Sequence, residues 1–168
     1  MSRRLFALIA QALLNGAFAA VIGWFSSNPP YRHLGEGEAL LKLSFSHPGQ
    51  LRSECRRRSA EELQRLAPNM RQEMDCPRER SPVTVKLDLD GGTLAQAVVA
   101  PAGLSRDGPS TYYARFPIPA GEHRLAVRIN DSVRAPGFNH VREETVRLVP
   151  GRILVVDFDP ARGGIQFR

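Results

Sequence analysis

The side chains able to do chemistry in this chain are few, and most carry sulfur or imidazole. Met70, Met74 and Cys76 form M-x-x-x-M-x-C, and soft sulfur ligands suit Cu(I). The weightier expectation is that Cys55 and Cys76 pair with each other and that Met70 and Met74 pack under a short helix, leaving no metal or cofactor. The two cysteines are not spaced as C-x-x-C or C-x-x-C-H, so neither thioredoxin-type redox chemistry nor covalent haem is expected. Four histidines, His33, His47, His123 and His140, form no H-x-H or H-E-x-x-H. They fall in a stalk, a turn, a strand start and a loop, where lone histidines are usually surface residues. His140 with Glu143 and Glu144 is a minor candidate for a small metal or proton site. The carboxylate pairs Asp88/Asp90 and Asp157/Asp159 read as solvated strand ends, or a weak Ca²⁺ site. A glycosidase pair would need a cleft between its carboxylates. No G-x-S-x-G, P-loop or G-x-G-x-x-G occurs. No catalytic residue is assigned, and the chain is not expected to be an enzyme.

The compartment governs how the cysteines are read, and Leu5 to Phe25 sets the compartment. This run carries no charge. As a helix it reaches ~31 Å, enough for a bilayer core of ~30 Å. Arg3 and Arg4 precede it, while Arg32 and Lys42 are sparse after it, so the positive-inside rule orients the N-terminus to the cytoplasm. Trp24 and Phe25 suit the outer interface, and Pro29-Pro30 stops the helix. A cleaved signal peptide, with Ala17-Phe18-Ala19 as its A-x-A site, is the alternative. The apolar run continues past that site through Val21, Ile22, Trp24 and Phe25, which favours a retained anchor. Gln11 and Asn15 lie four apart on one side of this helix, with Ala12, Gly16 and Ala20 recurring every fourth position. Small residues permit close helix approach and amides hydrogen-bond across it, so this face is expected to dock on a partner helix. Beyond the membrane, two cysteines read as one disulfide, worth ~3 kcal/mol for a loop of about 20 residues in the chain-entropy model.

The net charge is +6 in 168 residues. Acids are interspersed throughout and no basic stripe with interleaved aromatics appears, so no nucleic-acid partner is expected. The one dense basic run, Arg56-Arg57-Arg58, reads as a solvated turn before a helix, with anionic headgroups or an acidic partner as the alternative.

The expected organisation is an anchor at 1–25, a Pro/Ser/Gly stalk at 26–37 and one domain at 38–168. Glu38 to Ser46 alternates as a strand. Within an insert at 50–80, Ser59 and Glu62 form a capping box, and Pro68 ends the helix that begins there. From Ser81 the texture is β. Strands alternate around Val83–Leu89, Leu94–Ala100, Tyr112–Ile118, Leu125–Ile129, Thr145–Val149, Ile153–Phe158 and Ile165–Phe167. Asp90-Gly91-Gly92 signals a hairpin; Pro119-Ala120-Gly121 and Pro150-Gly151 signal tight turns. ILVVDF, apolar on both faces, is expected to be a central strand. About eight strands so spaced, with one short helix, predict an all-β sandwich. Two long loops, Pro101–Ser110 and Asn130–Val141, carry Arg106, Asp107, Tyr112, Tyr113, Arg134, Phe138, Asn139 and His140. If the loops cluster, these form a protein-contact surface.

The runs IPAGEHRLAVRI and VRLVPGRILVVDF, with Pro136-Gly137-Phe138 between them, resemble the prealbumin-like, carboxypeptidase-regulatory (PEGA-type) Ig-like modules of bacterial envelope proteins. The resemblance covers residues 81–168 and implies a fold, with no catalytic motif to carry over. The cysteine-bounded insert departs from the plain module. Together these readings predict a single-pass bacterial inner-membrane protein with a periplasmic domain, acting as an accessory or assembly subunit. Its partners would be the bilayer and a larger membrane complex. The alternative is a periplasmic module that binds envelope glycan or a metal ion such as copper.

Overall fold

A computed structural model describes residues 3–28 and 34–168. The proposed helix stop Pro29-Pro30, and Tyr31, Arg32 and His33 of the stalk, lie outside the described residues. The chain divides into two units, Met1–Gly35 and Glu36–Arg168.

Among the described residues of the first unit there is one helix, α1 (Arg3–Ser27), of 25 residues. It exceeds the uncharged run by two residues at each end, and the Asn28 amide adds a bond to the Trp24 carbonyl at 2.9 Å. All of its described side chains are exposed. Its length and composition satisfy the requirement for a membrane span, a test that a signal sequence also passes.

The second unit is mainly β. Its elements are β1 (Glu38–His47), β2 (Arg56–Arg57), α2 (Ala60–Arg65), β3 (Met74–Asp75), β4 (Val83–Leu89), β5 (Gly92–Val99), β6 (Ser110–Pro119), β7 (Gly121–Asn130), β8 (His140–Leu148), β9 (Ile153–Asp159) and β10 (Gly164–Phe167). One four-stranded sheet runs β10-β9-β1-β6 and another β5-β4-β7-β8; β2 and β3 form a separate ribbon. Strand alternation decides what is buried. Leu41 and Leu43 from β1, Val83, Val85 and Leu87 from β4, Leu125, Val127 and Ile129 from β7, and Val156 from β9 are all fully buried in one cluster. Both four-stranded sheets therefore feed a single core.

The ten strands include two of two residues, so the expected count of about eight holds for the longer ones. β9 is central as expected, between β10 and β1, and it pairs with β1 in parallel. Its outer face is only partly covered, with Ile153 exposed. The two Pro/Gly turns differ from hairpin turns in what they join. Residues 119–121 pass from β6 in the first sheet to β7 in the second, and residues 149–152 pass from β8 back to β9. The Asp90-Gly91 turn is a true hairpin between β4 and β5, with φ of 51° and 86° at its two residues, the left-handed geometry that two-residue hairpins require.

His123 shows why the β6–β7 turn holds its shape. One ring nitrogen lies 2.8 Å from the Pro119 carbonyl and the other 2.7 Å from Asp90 Oδ2. Asp90 Oδ1 accepts the Arg124 amide at 2.8 Å. The histidine, expected at the surface, is instead a clamp between the sheet-crossing turn and the β4–β5 hairpin, with its side chain 12 % exposed. Its bond to Asp90 raises the His123 pKa, burial opposes this, and the Pro119 carbonyl adds to the rise. The His123 bond and the Arg124 amide lower the Asp90 pKa. The histidine contribution to stability is thus full below its unfolded pKa of ~6.5 and is lost as pH rises through the higher folded value. The carboxylate contribution is present above ~3.9 and is lost as pH falls through the lower folded value. We expect the His123 ring signal, followed by NMR, to titrate above ~6.5 and to return toward that value in Asp90→Asn. An unshifted midpoint in the parent protein would refute the clamp.

Candidate functional site at the loop end of the sheets

Strand register brings one set of strand ends together. His47 pairs with Ser110, Val83 with Val99, Thr84 with Asn130, and Ile129 with His140. The insert and both long loops therefore leave the sheets at the same end.

The centre of this end is Asp131, 4 % exposed. Its Oδ2 lies 2.9 Å from His47 Nε2. Its Oδ1 accepts from Gln50 Nε2 at 3.1 Å and from Asn139 Nδ2 at 2.6 Å. His140 Nε2 sits 3.7 Å from Oδ2, buried and without a hydrogen bond of its own. Both imidazoles meet the Phe158 ring edge-on, each 4.8 Å from it between centroids. Burial alone would raise the Asp131 pKa. The bonds from Asn139 and His47, with the positive fields of His140 and His47, outweigh burial and lower it. The carboxylate thus stays charged and gathers β1, the segment after it, the 131–139 loop and β8.

Backbone bonds continue the stitching. The Gln50 amide donates to the Asp131 carbonyl at 2.8 Å, and the Ser81 amide donates to the Gln50 carbonyl at 2.8 Å. The Val133 amide donates to Ser81 Oγ at 3.1 Å. Gly49 is required here, because a Cβ would lie 2.1 Å from the Ser81 carbonyl oxygen. The neck of the insert is thereby fixed to the core.

The two loops and the insert are joined by charge. Arg78 reaches Asp107 at 2.7 Å, Arg134 reaches Glu54 at 3.0 Å, and Arg52 and Arg106 reach Glu79 at 2.7 and 3.6 Å. Arg80 donates to the carbonyls of Asp107 and Gly49 at 3.1 and 3.0 Å. A shallow cleft of about 250 Å³ lies among Arg52, Glu79, Arg80, Pro101, Arg106 and Val133. The loops do cluster, and Arg106 and Arg134 share this rim with the insert. Tyr112 stands apart from the rim, with its ring 6.0 Å from Phe45 against the core. Phe138 is half-buried in the 131–139 loop.

Other expected site residues fall as follows. Cys55 and Cys76 form a disulfide, which fits an oxidising compartment and removes Cys76 from the M-x-x-x-M-x-C set. Met70 and Met74 are exposed instead of packed beneath α2, because α2 ends at Arg65, Met70 lies in a separate 3-10 turn begun by Pro68, and Met74 lies in β3. The Ser59–Glu62 capping box is present. Glu143 pairs with Arg124 and Glu144 with Arg142, so neither serves His140. Asp88 is buried, not solvated, and bonds Thr93, Lys86 and Arg128. Asp157 and Asp159 pair with Arg168 and Arg162. Among the described residues no group of three or more His, Cys, Asp or Glu side chains is arranged to hold a metal ion. Gln11, Ala12, Asn15, Gly16 and Ala20 are exposed on α1, and nothing lies within 4 Å of where a Gly16 Cβ would stand.

Sequence reasoning missed Asp131, Gln50 and Ser81, and misjudged His47 and His140. The available signal was Asn130-Asp131-Ser132 closing a strand, a local turn in which Asn130 Oδ1 accepts the Ser132 amide at 2.8 Å. No protein-family model matches the chain, and no curated protein matches it.

Two outcomes follow from this site. Asp131→Ala strands donors from His47, Gln50 and Asn139, so we expect a loss of ~2–4 kcal/mol in urea unfolding at pH 7. That deficit should shrink as pH falls below ~3.9 toward the lowered folded pKa, where the parent also loses the charge. A pH-independent deficit would count against the carboxylate role. Replacing both cysteines by serine should open the insert locally, since α2 has no buried residue. Hydrogen exchange should show fast Leu63 and Leu66 amides with Val127 and Ile129 still protected. Unchanged protection at Leu63 would mean that the bridge is dispensable.

Proposed function

We propose that this chain is a membrane-anchored, non-catalytic accessory subunit. Its domain would be an Ig-like, prealbumin-like sandwich in the periplasm, and α1 would be a retained single-pass anchor with its N-terminus in the cytoplasm. The observation that carries this reading is the joined rim. Two loops and a disulfide-bounded insert are held to one another by ion pairs between Arg134 and Glu54, Arg78 and Asp107, and Arg106 and Glu79. A surface assembled from three segments and pre-set by cross-links loses little entropy on binding a protein. The amide and small-residue face of α1 supplies a second contact suited to a helix of the same complex.

The test uses full-length protein solubilised in detergent. Replacing Gln11, Asn15 and Gly16 together by Leu should lower recovery of the co-purifying membrane complex by roughly tenfold, with membrane retention unchanged. Equal recovery would remove the helix-docking part. A parent protein that purifies without a protein partner and binds envelope glycan would favour the alternative reading.

A further inference from the structure

The outer face of the first sheet carries a charge pattern that the fold neutralises only in part. On β1 the odd residues from Ala39 to Phe45 enter the core, so Leu40 and Lys42 point outward. Lys42 pairs across the ladder with Arg115 on one side and Val155 on the other. Arg168 exchanges backbone bonds with Val155 at 2.7 and 2.9 Å. Lys42, Arg115 and Arg168 therefore form one cross-strand row. Like charges directly opposite each other across a ladder are destabilising, yet among the described residues neither Lys42 nor Arg115 makes an ion pair. Lys42 instead rests 5.2 Å from the Tyr113 ring centre. The acids on this face lie to either side of the row: Glu38 at the start of β1, Asp157 at 3.5 Å from Arg168, and Asp159 with Arg162. Leu40, Tyr113 and Ile153 complete an open trough of about 540 Å³, the last two exposed.

We propose that this face lies against an anionic bilayer surface. This rests on the reading of α1 as a membrane anchor. Charge complementarity selects the occupant. A row in which Lys42 and Arg115 have no acid partner among the described residues suits anionic headgroups, while an exposed tyrosine and isoleucine beside it suit the interfacial zone. Only about a dozen residues separate Asn28 from Leu40, a reach of at most ~40 Å when extended. The alternative basic candidate, Arg56-Arg57-Arg58, is already neutralised. Arg56 binds Glu62 and Asp75, Arg57 binds Glu73, and Arg58 binds Asp75.

The two lysines of the chain give a direct test. Lys42 lies on this face and Lys86 on the second sheet, and both are half-buried. Full-length protein is reconstituted into phosphatidylcholine vesicles with or without about 30 % phosphatidylglycerol. The amines are acylated briefly and read by mass spectrometry, and flotation reports membrane attachment. Lys42 acylation should slow by about fivefold in the anionic vesicles only, with Lys86 unchanged. The protection should vanish in ~1 M salt and in Arg115→Glu, a change that offers Lys42 a cross-strand partner and so spares the fold. Floating protein with equal Lys42 reactivity in both vesicles overturns the face proposal and leaves the anchor intact. Protection of Lys42 that also appears in phosphatidylcholine alone overturns it in favour of a protein contact or self-association. Protein that fails to float overturns the anchor reading and this inference with it.

Discussion

Asp131 sits where a carboxylate is expensive. Transferring a charge from water to a buried site carries a penalty of several kcal/mol, which only well-placed donors and positive charge offset. Here the donors come from residues far apart in sequence: His47 at the end of β1, Gln50 just beyond it and Asn139 before β8. Satisfying one side chain therefore fixes the relative positions of several segments. Because Gln50 also bonds the Asp131 backbone and Ser81, the start and end of the cysteine-bounded insert are fixed too. The ion pairs of the rim are solvent-exposed and individually weak. They add to an alignment that the buried node has already set for the 131–139 loop and the insert neck.

The same logic separates what was legible in the sequence from what was not. Alternation along Val83–Leu89 or Leu125–Ile129 is a one-dimensional signal, since each side chain reports its own burial. Ser59 and Glu62 lie one helical turn apart, so their mutual bonds are encoded locally. The Asp90-Gly91 hairpin and the central placement of ILVVDF were readable for the same reason. Sheet switching at residues 119–121 and 149–152 was not, because a Pro/Gly turn signals reversal without naming the sheet that receives the next strand. The histidines failed similarly. His47 meets Asp131, 84 positions away, and His123 meets Asp90, 33 positions away, and no local pattern marks such partners. In IPAGEHRLAVRI the histidine stood only within a turn-and-strand pattern, and its clamp on Asp90 and Pro119 gives it a physical purpose.

Arginine use shows how a positively charged chain keeps most of its charge quiet. The insert binds its own basic run with Glu62, Glu73 and Asp75. The second sheet binds Arg128 with Asp88 and Arg124 with Glu143. These pairs are intramolecular because strand register or the ribbon sets an acid beside each base. The first sheet departs from that arrangement on its inner strand β1, where register sets Lys42 beside Arg115. A mispaired surface on flexible chain relaxes by moving apart, but a row locked by two ladders cannot.

That constraint bears on how the proposed anchor and the β domain would work together. The described side chains of α1 are all exposed, so nothing within the helix itself fixes which face points where. Insertion of its apolar length in a bilayer would set its depth, while the amides of Gln11 and Asn15 would select its rotation through a partner helix. A β domain on such an anchor would face the opposite problem: its internal geometry is fixed, but a membrane-facing side would have to be chosen by a contact of its own. An electrostatic contact through the first sheet would supply that orientation at low affinity, leaving the disulfide-bounded rim free for a protein surface. The Asp131 node matters to this division because it fixes the rim to the very strands, β1 and β7, that run through the two sheets. A bound partner at the rim would then meet one defined direction of the domain.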